Sequence, residues 1–298
     1  MKALQDRLAG VGVEVKEQYP LSRHSSFRIG GNAALALFPK TKEQMLDALG
    51  ILSSGDLPFL ILGNASNVVF DDAGFAGAVL FTTAWRELSL TDHRITVSAG
   101  TPLLQVAIAA RDAALQGLEF SYGIPGSIGG AIYMNSGAFG GSMADVCKRS
   151  MAFDLKRNET VTLTGTEQGF GYRTSLYGQT DRYAILGAEL ELIPGAPHDI
   201  NTRMNEYMAH RRRTQPLEYP SAGSVFKRPE GDFAGRLIEA CGLKGVTVGG
   251  AQVSEKHAGF IVNRGNATAA NIKNLVELIK ERVLLSTGVN LECEIKFL

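Results

Sequence analysis

Gly123-Ile124-Pro125-Gly126-Ser127-Ile128-Gly129-Gly130 is the stretch on which the reading of this chain turns. Seven glycines (123, 126, 129, 130, 137, 140 and 141) fall between Gly123 and Gly141. No helix or strand interior tolerates that density without a reason, because each glycine there costs roughly 0.5–1 kcal/mol relative to alanine. A second glycine-bearing loop, Leu62-Gly63-Asn64-Ala65-Ser66-Asn67, lies between two short apolar runs, Leu57 to Leu62 and Ala78 to Thr82, that read as strands. The two loops are suited to presenting successive backbone N–H groups and small hydroxyls to a phosphate or pyrophosphate. Neither carries G-x-x-x-x-G-K-[ST] or a G-x-G-x-x-G between strand and helix, which argues against a P-loop or Rossmann site. Taken singly, each loop reads equally well as a tight turn; two in one domain favour a dinucleotide.

Outward from these loops the pattern is mixed. Thr41-Lys42-Glu43-Gln44 reads as a capping box opening a helix over 42–53, and Arg94 to Ala99 reads as a strand. Thr101-Pro102 reads as an N-cap followed by proline at the first helical position. Residues 150–164 and 183–193 alternate like antiparallel strands, and Pro194-Gly195-Ala196-Pro197 reads as a domain boundary. Asp199 is expected to cap a helix carrying Ile200, Met204, Tyr207 and Met208. A short helix over 233–241, a strand from Ala258 to Val262 and an amphipathic helix with Ile272, Leu275, Val276, Ile279 and Val283 on one face complete the chain, followed by a last strand from Leu291 to Phe297. In that strand residues 291, 293, 295 and 297 are apolar, and Glu292, Glu294 and Lys296 fall on the other face.

Composition bounds the function. The 298 residues carry 30 Lys+Arg against 30 Asp+Glu, and the longest basic run is Arg211-Arg212-Arg213, which argues against a nucleic-acid-binding surface. No apolar stretch approaches the ~18 residues of a membrane span, and MKALQDRLAGVGVEVKEQY lacks a signal-peptide core, so a cytoplasmic protein is expected. Cys147, Cys241 and Cys293 lack C-x-x-C spacing and read as buried small hydrophobes. The five histidines show no ligand spacing, so no metal is expected.

Three further places could carry chemistry. Ser224 follows Ala-Gly in a proline-bounded loop beside Arg211, Arg213, Lys227 and Arg228, cations suited to phosphate or carboxylate; a serine turn on a solvated basic face fits the same pattern. No G-x-S-x-G elbow marks Ser224 as a hydrolase nucleophile. Arg173, in Phe170-Gly171-Tyr172-Arg173-Thr174-Ser175, is either a carboxylate clamp or a surface arginine. Glu292 and Glu294 are equivalent by pattern.

Read jointly, the motifs resemble the UDP-N-acetylenolpyruvoylglucosamine reductase family over nearly the whole chain. The resemblance runs through Ser26-Phe-Arg-Ile-Gly-Gly31, Leu62 to Asn67, Gly123 to Ala131, Met134-Asn-Ser-Gly-Ala138, Gly171 to Ser175 and Gln215 to Lys227. It continues through Gly249-Gly-Ala-Gln-Val253, His257 to Asn263 and Leu291 to Lys296. It implies an α+β chain with a vanillyl-alcohol-oxidase-type FAD-binding fold of two subdomains, 1–84 and 85–198, and a C-terminal α+β substrate-binding domain, 199–298, whose terminal strand reaches the active site. It implies non-covalent FAD and NADPH as hydride donor. The reaction implied is reduction of UDP-N-acetylglucosamine enolpyruvate to UDP-N-acetylmuramate in peptidoglycan synthesis, by a monomer.

By motif, the proton donor is Ser224, and Arg173 and Glu294 hold the enolate, which decides between the two terminal glutamates. The flavin would be held by Gly63, Asn64, Ala65, Ser66, Asn67, Gly123, Ile124, Pro125, Gly126, Ser127, Gly130, Ala131 and Asn135. The substrate would meet Tyr172, Arg211, Arg213, Lys227, Arg228 and Gln252. Ala65 stands where the family usually has glycine, which is strained if the position needs a positive φ. Only 37 residues (174 to 210) separate the Gly-Tyr-Arg motif from the triple arginine, which resembles the subclass without an extra substrate-covering loop. A flavin oxidase of the same fold would need a substrate loop other than 215–227. A non-catalytic binding protein would have no need of Ser224, Arg173 and Glu294.

Overall fold

The computed structural model describes all residues, 1–298. Contacts divide the chain into two compact units that interleave along the sequence. The first comprises Met1–Gln18, Ala34–Asn64 and Gly77–Ala209; the second comprises Tyr19–Ala33, Ala65–Ala76 and His210–Leu298. The changeover after residue 209 falls inside the helix Pro197–Thr214, beyond the break at Pro194 to Pro197. No helix is long and apolar enough to cross a membrane.

The first unit is built on two sheets. One has four strands in the order Glu14–Pro20, Asn32–Phe38, Phe75–Phe81, Phe59–Leu62, the last two parallel with Leu62 opposite Phe81. The other is an antiparallel sheet of five, ordered Glu159–Thr164, Cys147–Asp154, Tyr183–Glu191, Arg94–Ser98, Leu88–Thr91. Neighbouring residues on its central strands enter different cores. Ala152, Ile185, Ala188 and Leu190 pack with the helices Leu103–Asp112 and Ile128–Tyr133. Phe153, Ala184 and Leu186 pack with Leu35, Leu80 and the helix Lys42–Ser53. The strand Tyr183–Glu191 is therefore buried along both faces, which alternation of apolar residues did not indicate.

The second unit packs the helices Ala234–Ala240 and Ala269–Thr287 with a three-stranded antiparallel sheet, Thr247–Val248, Ala251–Val253 and Ile261–Asn263. Ile272, Leu275, Val276, Ile279 and Val283 form the buried face of the long helix, as their spacing predicts, and Gly288 closes it at φ 74°. Distant segments are drawn in by polar contacts. Asn263 donates from Nδ2 to the Phe27 carbonyl at 2.9 Å. The Asp72 carboxylate accepts from the Ala269 and Ala270 amides at 2.8 and 3.1 Å, satisfying donors at the positive end of that helix.

Several sequence expectations shift by a residue or a partner. The helix Lys42–Ser53 forms with Thr41 as its cap, but Gln44 Oε1 accepts from Lys40 N, not Thr41 N. Pro102 occupies the N-cap of Leu103–Asp112, and Thr101 Oγ1 donates to the Glu87 carbonyl at 3.1 Å. Asp199 lies in the first turn of its helix, not at the cap. Of the cysteines only Cys147 is buried, where desolvation pushes its thiol up to about 12; Cys241 and Cys293 are half-buried.

Candidate active site

Gly63 and Asn64, at the start of the first glycine loop, meet the second loop within the first unit. Asn64 Nδ2 donates to the Pro125 carbonyl at 2.8 Å, and a Cβ added to Gly63 would lie 2.0 Å from Ser127 Oγ. Ser127 is itself fixed as the N-cap of Ile128–Tyr133, its Oγ accepting from Gly130 N at 3.4 Å. Behind it, a Cβ on Gly129 would lie 3.0 Å from Ala99 Cβ. Gly123 has φ 87°, which a side chain would strain. The amides of Ile124, Gly126, Ile128 and Gly129 donate to the carbonyls of Ser121, Ile124, Thr101 and Ala99. With Gly130 N on Ser127, the loop does not present the uninterrupted row of amides that its glycines suggest. Close packing explains the glycines better, Gly63 against Ser127 and Gly129, in the first turn of the helix, against Ala99.

Gly63→Ala should therefore displace Ser127 from its cap and cost about 1–3 kcal/mol of stability. Urea unfolding reads this directly. An unchanged midpoint would show that the loops separate freely.

Asn135 is 8% exposed and sits at φ 42°. Its Nδ2 donates to the Gly171 carbonyl and its Oδ1 accepts from Ala144 N, both at 2.9 Å. The Gly171 bond reaches the turn that carries Arg173. Gly171 and Thr174 bridge across that turn, leaving Tyr172 exposed and Arg173 left-handed at φ 55°. Arg173 Nη2 donates to the Gly137 carbonyl at 2.9 Å, and its guanidinium carbon lies 5.3 Å from the centre of the Tyr172 ring. Two contacts thus orient the head of this arginine.

Ala65 and the rest of the first glycine loop belong to the second unit. Ala65 has φ 46°, so the position does require the conformation that glycine adopts most easily. Asn67 Nδ2 donates to the Glu294 carbonyl at 3.1 Å, and the Asn67 carbonyl accepts from Lys296 N at 3.0 Å. Lys296–Phe297 then pairs in parallel with Val68–Val69. The last segment of the chain is thereby bound to the loop.

The opposite edge of that segment meets the residues that follow Ser224. Phe226 bridges Cys293, Lys227 N donates to the Glu292 carbonyl at 2.8 Å, and Ser224 bridges Phe260. The amides of Glu294 and Ile295 both point to one acceptor, Val225 O, at 2.8 and 3.5 Å. Two residues opposite one is a β-bulge, a device that re-aims a side chain. Strict alternation ends there. Glu292 has a 72% exposed side chain paired with Lys227, Glu294 is half-buried, and Phe297 is 40% exposed, not on an inner face. Glu294 thus lies against Val225, the residue after Ser224, and Glu292 is an ordinary surface partner.

The remaining candidates are more dispersed. Arg211 is 7% exposed, and burial lowers its pKa. Arg213 Nη2 lies 3.3 Å from His210 Nδ1, and the Arg228 guanidinium covers the Phe233 ring at 3.9 Å. Gln252 Nε2 donates to the Gly245 carbonyl at 3.2 Å. Lys227, Arg228 and Gln252 each already hold a protein group.

A family model described as the C-terminal domain of UDP-N-acetylenolpyruvoylglucosamine reductase matches residues 215–298, and an FAD binding domain model matches 33–164. A reductase of that name from Clostridioides difficile (strain 630) is 42% identical over 96% of this chain and 93% of its own. Another from Exiguobacterium sibiricum is 42% identical over 100% of this chain and 97% of its own. The crystal structure of UDP-N-acetylenolpyruvylglucosamine reductase from Thermus caldophilus has a TM-score of 0.79 at 33% identity, covering 96% of this chain and 98% of that one. Berberine bridge enzyme from Eschscholzia californica shares the fold at TM-score 0.50 and 14% identity, over 77% of this chain and 53% of its own. The chain belongs to the UDP-N-acetylenolpyruvoylglucosamine reductase family.

Proposed function

We propose that the protein reduces UDP-N-acetylglucosamine enolpyruvate to UDP-N-acetylmuramate, a peptidoglycan precursor, with non-covalent FAD as cofactor, NADPH as hydride source and Ser224 as proton donor. The carrying observation is that Glu294 is held on one side by Val225, the residue after Ser224, and on the other by Asn67 of the first glycine loop. The residues fit a flavin dinucleotide. A Cβ on Gly63 would meet Ser127 Oγ, so the two short loops lie side by side and form one surface for an extended diphosphate. Asn64, Ser66 and Ser127 add small polar groups of the right kind. Asn135, whose amide is engaged at both ends, serves this site by shaping the backbone.

When bound, the flavin supplies hydride to the enolpyruvyl methylene carbon. Hydride addition moves negative charge onto the substrate carboxylate, so Arg173 interacts more strongly as the charge forms, which is how a fixed cation accelerates a step. Arg173 belongs to the first unit, and its part rests on the motif match. Glu294 beside the same anion holds or shares a proton, since two negative groups would repel. Ser224 Oγ–H delivers the proton to the neighbouring carbon. The two residues after it, Val225 and Phe226, are 0% and 4% exposed, so the chain is anchored on that side of the serine. The 199–298 segment supplies the substrate contacts, with Arg211, Arg213, Lys227, Arg228 and Gln252 toward the diphosphate sugar and Tyr172 from the first unit.

Anaerobic absorbance decides the reading. NADPH should bleach the flavin's visible band, and UDP-N-acetylglucosamine enolpyruvate should restore it. A band that bleaches without recovering points to another acceptor and overturns the substrate assignment.

A further inference from the structure

Phe139 stands where its type does not belong. Gly137–Ala138 and Gly141–Ser142 pair as a hairpin, with Ala138 opposite Gly141, so Phe139 and Gly140 are the two loop residues. Their φ values are 52° and 87°. A two-residue turn with both central residues at positive φ selects Asn, Asp or Gly at its first position. A bulky aromatic there is strained. It is also 39% exposed, so burial does not account for it.

What accounts for it is the ring. Phe139 stacks on Tyr207 of the helix Pro197–Thr214, centroids 4.1 Å apart and planes within 3°. That contact ties the hairpin tip to the helix. The base of the same hairpin is Gly137, whose carbonyl accepts from Arg173 Nη2 at 2.9 Å. Two residues before it, Asn135 grips the Gly171 carbonyl at the start of the Arg173 turn. Asn135 thus holds the start of the turn and the Gly137 carbonyl the guanidinium, and that acceptor is only as still as the hairpin that carries it.

We propose that Phe139 is a positioning residue for Arg173: its stack on Tyr207 immobilises the 137–142 hairpin, so that the Gly137 carbonyl aims the guanidinium. Its catalytic consequence rests on the reductase reading; the immobilisation does not. Phe139→Gly removes the ring and relieves the left-handed strain, so the fold should persist, with Tm within about 4 °C of wild type. Phe139→Tyr keeps the stack.

In holoenzyme labelled with 15N-arginine, the Arg173 Nε–H signal, identified by its loss in Arg173→Lys, should relax as a rigid group in wild type and Phe139→Tyr and as a mobile one in Phe139→Gly. Reoxidation by the enolpyruvyl substrate should slow by about tenfold or more in the glycine variant, because displacement of a catalytic group by about 1 Å costs up to ~10²-fold. The tyrosine variant should recover it, and bleaching by NADPH should be unaffected in both. A rigid Arg173 in Phe139→Gly, or an unchanged reoxidation rate, overturns the proposal. If wild type fails to reoxidise, the reductase reading falls, and the Arg173 signal alone decides whether Phe139 positions it.

Discussion

Ser224→Ala is expected to leave flavin reduction by NADPH close to wild type while slowing reoxidation by the enolpyruvyl substrate by ~10²–10⁴-fold, the usual contribution of a positioned proton donor. The substitution removes one oxygen and no backbone contact. Ser224 keeps its bridge to Phe260, Val225 N keeps the Gly259 carbonyl at 2.9 Å, and Lys227 N keeps the Glu292 carbonyl. A loss confined to one half-reaction then reports the hydroxyl and not the fold. Equal losses in both half-reactions would remove serine from the proton-transfer role and assign it to organising the bound flavin. Stopped-flow absorbance under nitrogen separates the two steps in one preparation.

Arg173→Lys should be nearly as damaging, lowering kcat for the enolpyruvyl step by ~10²–10³-fold, the range for losing one fixed donor to a developing oxyanion. Lysine retains the charge but loses the planar fork. It cannot both satisfy the Gly137 carbonyl, now 2.9 Å from Nη2, and meet a carboxylate in the guanidinium's geometry. An interaction made chiefly in the transition state lowers kcat and kcat/KM together, whereas a simple surface cation would move KM alone or nothing. Activity within a few-fold of wild type would show that charge without geometry suffices. The position itself tolerates change in the backbone, since φ 55° suits glycine better than arginine. Arg173→Gly therefore offers a folded background in which added guanidinium can be tested for rescue.

The parts of the molecule legible in the sequence are those decided within a turn or two of chain. The helix Lys42–Ser53 follows from a threonine cap and apolar spacing, and Ala269–Thr287 from its stripe of Ile272 to Val283 and Gly288 beyond its end. The glycine loops were legible because glycine reports what the backbone must do locally, and Ala65 at φ 46° shows that the demand persists when the residue changes. The proposed catalytic roles follow only from many motifs taken together, since Ser224 alone fits an ordinary serine turn. Tertiary structure decided the rest. Alternation made Glu292 and Glu294 equivalent, and a bulge against Val225 separates them. Asn135, grouped by motif with the flavin loops, turns its amide to Gly171, 36 positions along the chain. Segments 19–33 and 65–76 join a unit whose bulk begins at His210. Each of these depends on a partner remote in sequence. A cap or a stripe is encoded by its neighbours, whereas a bulge or a long-range hydrogen bond exists only once the chain has closed on itself.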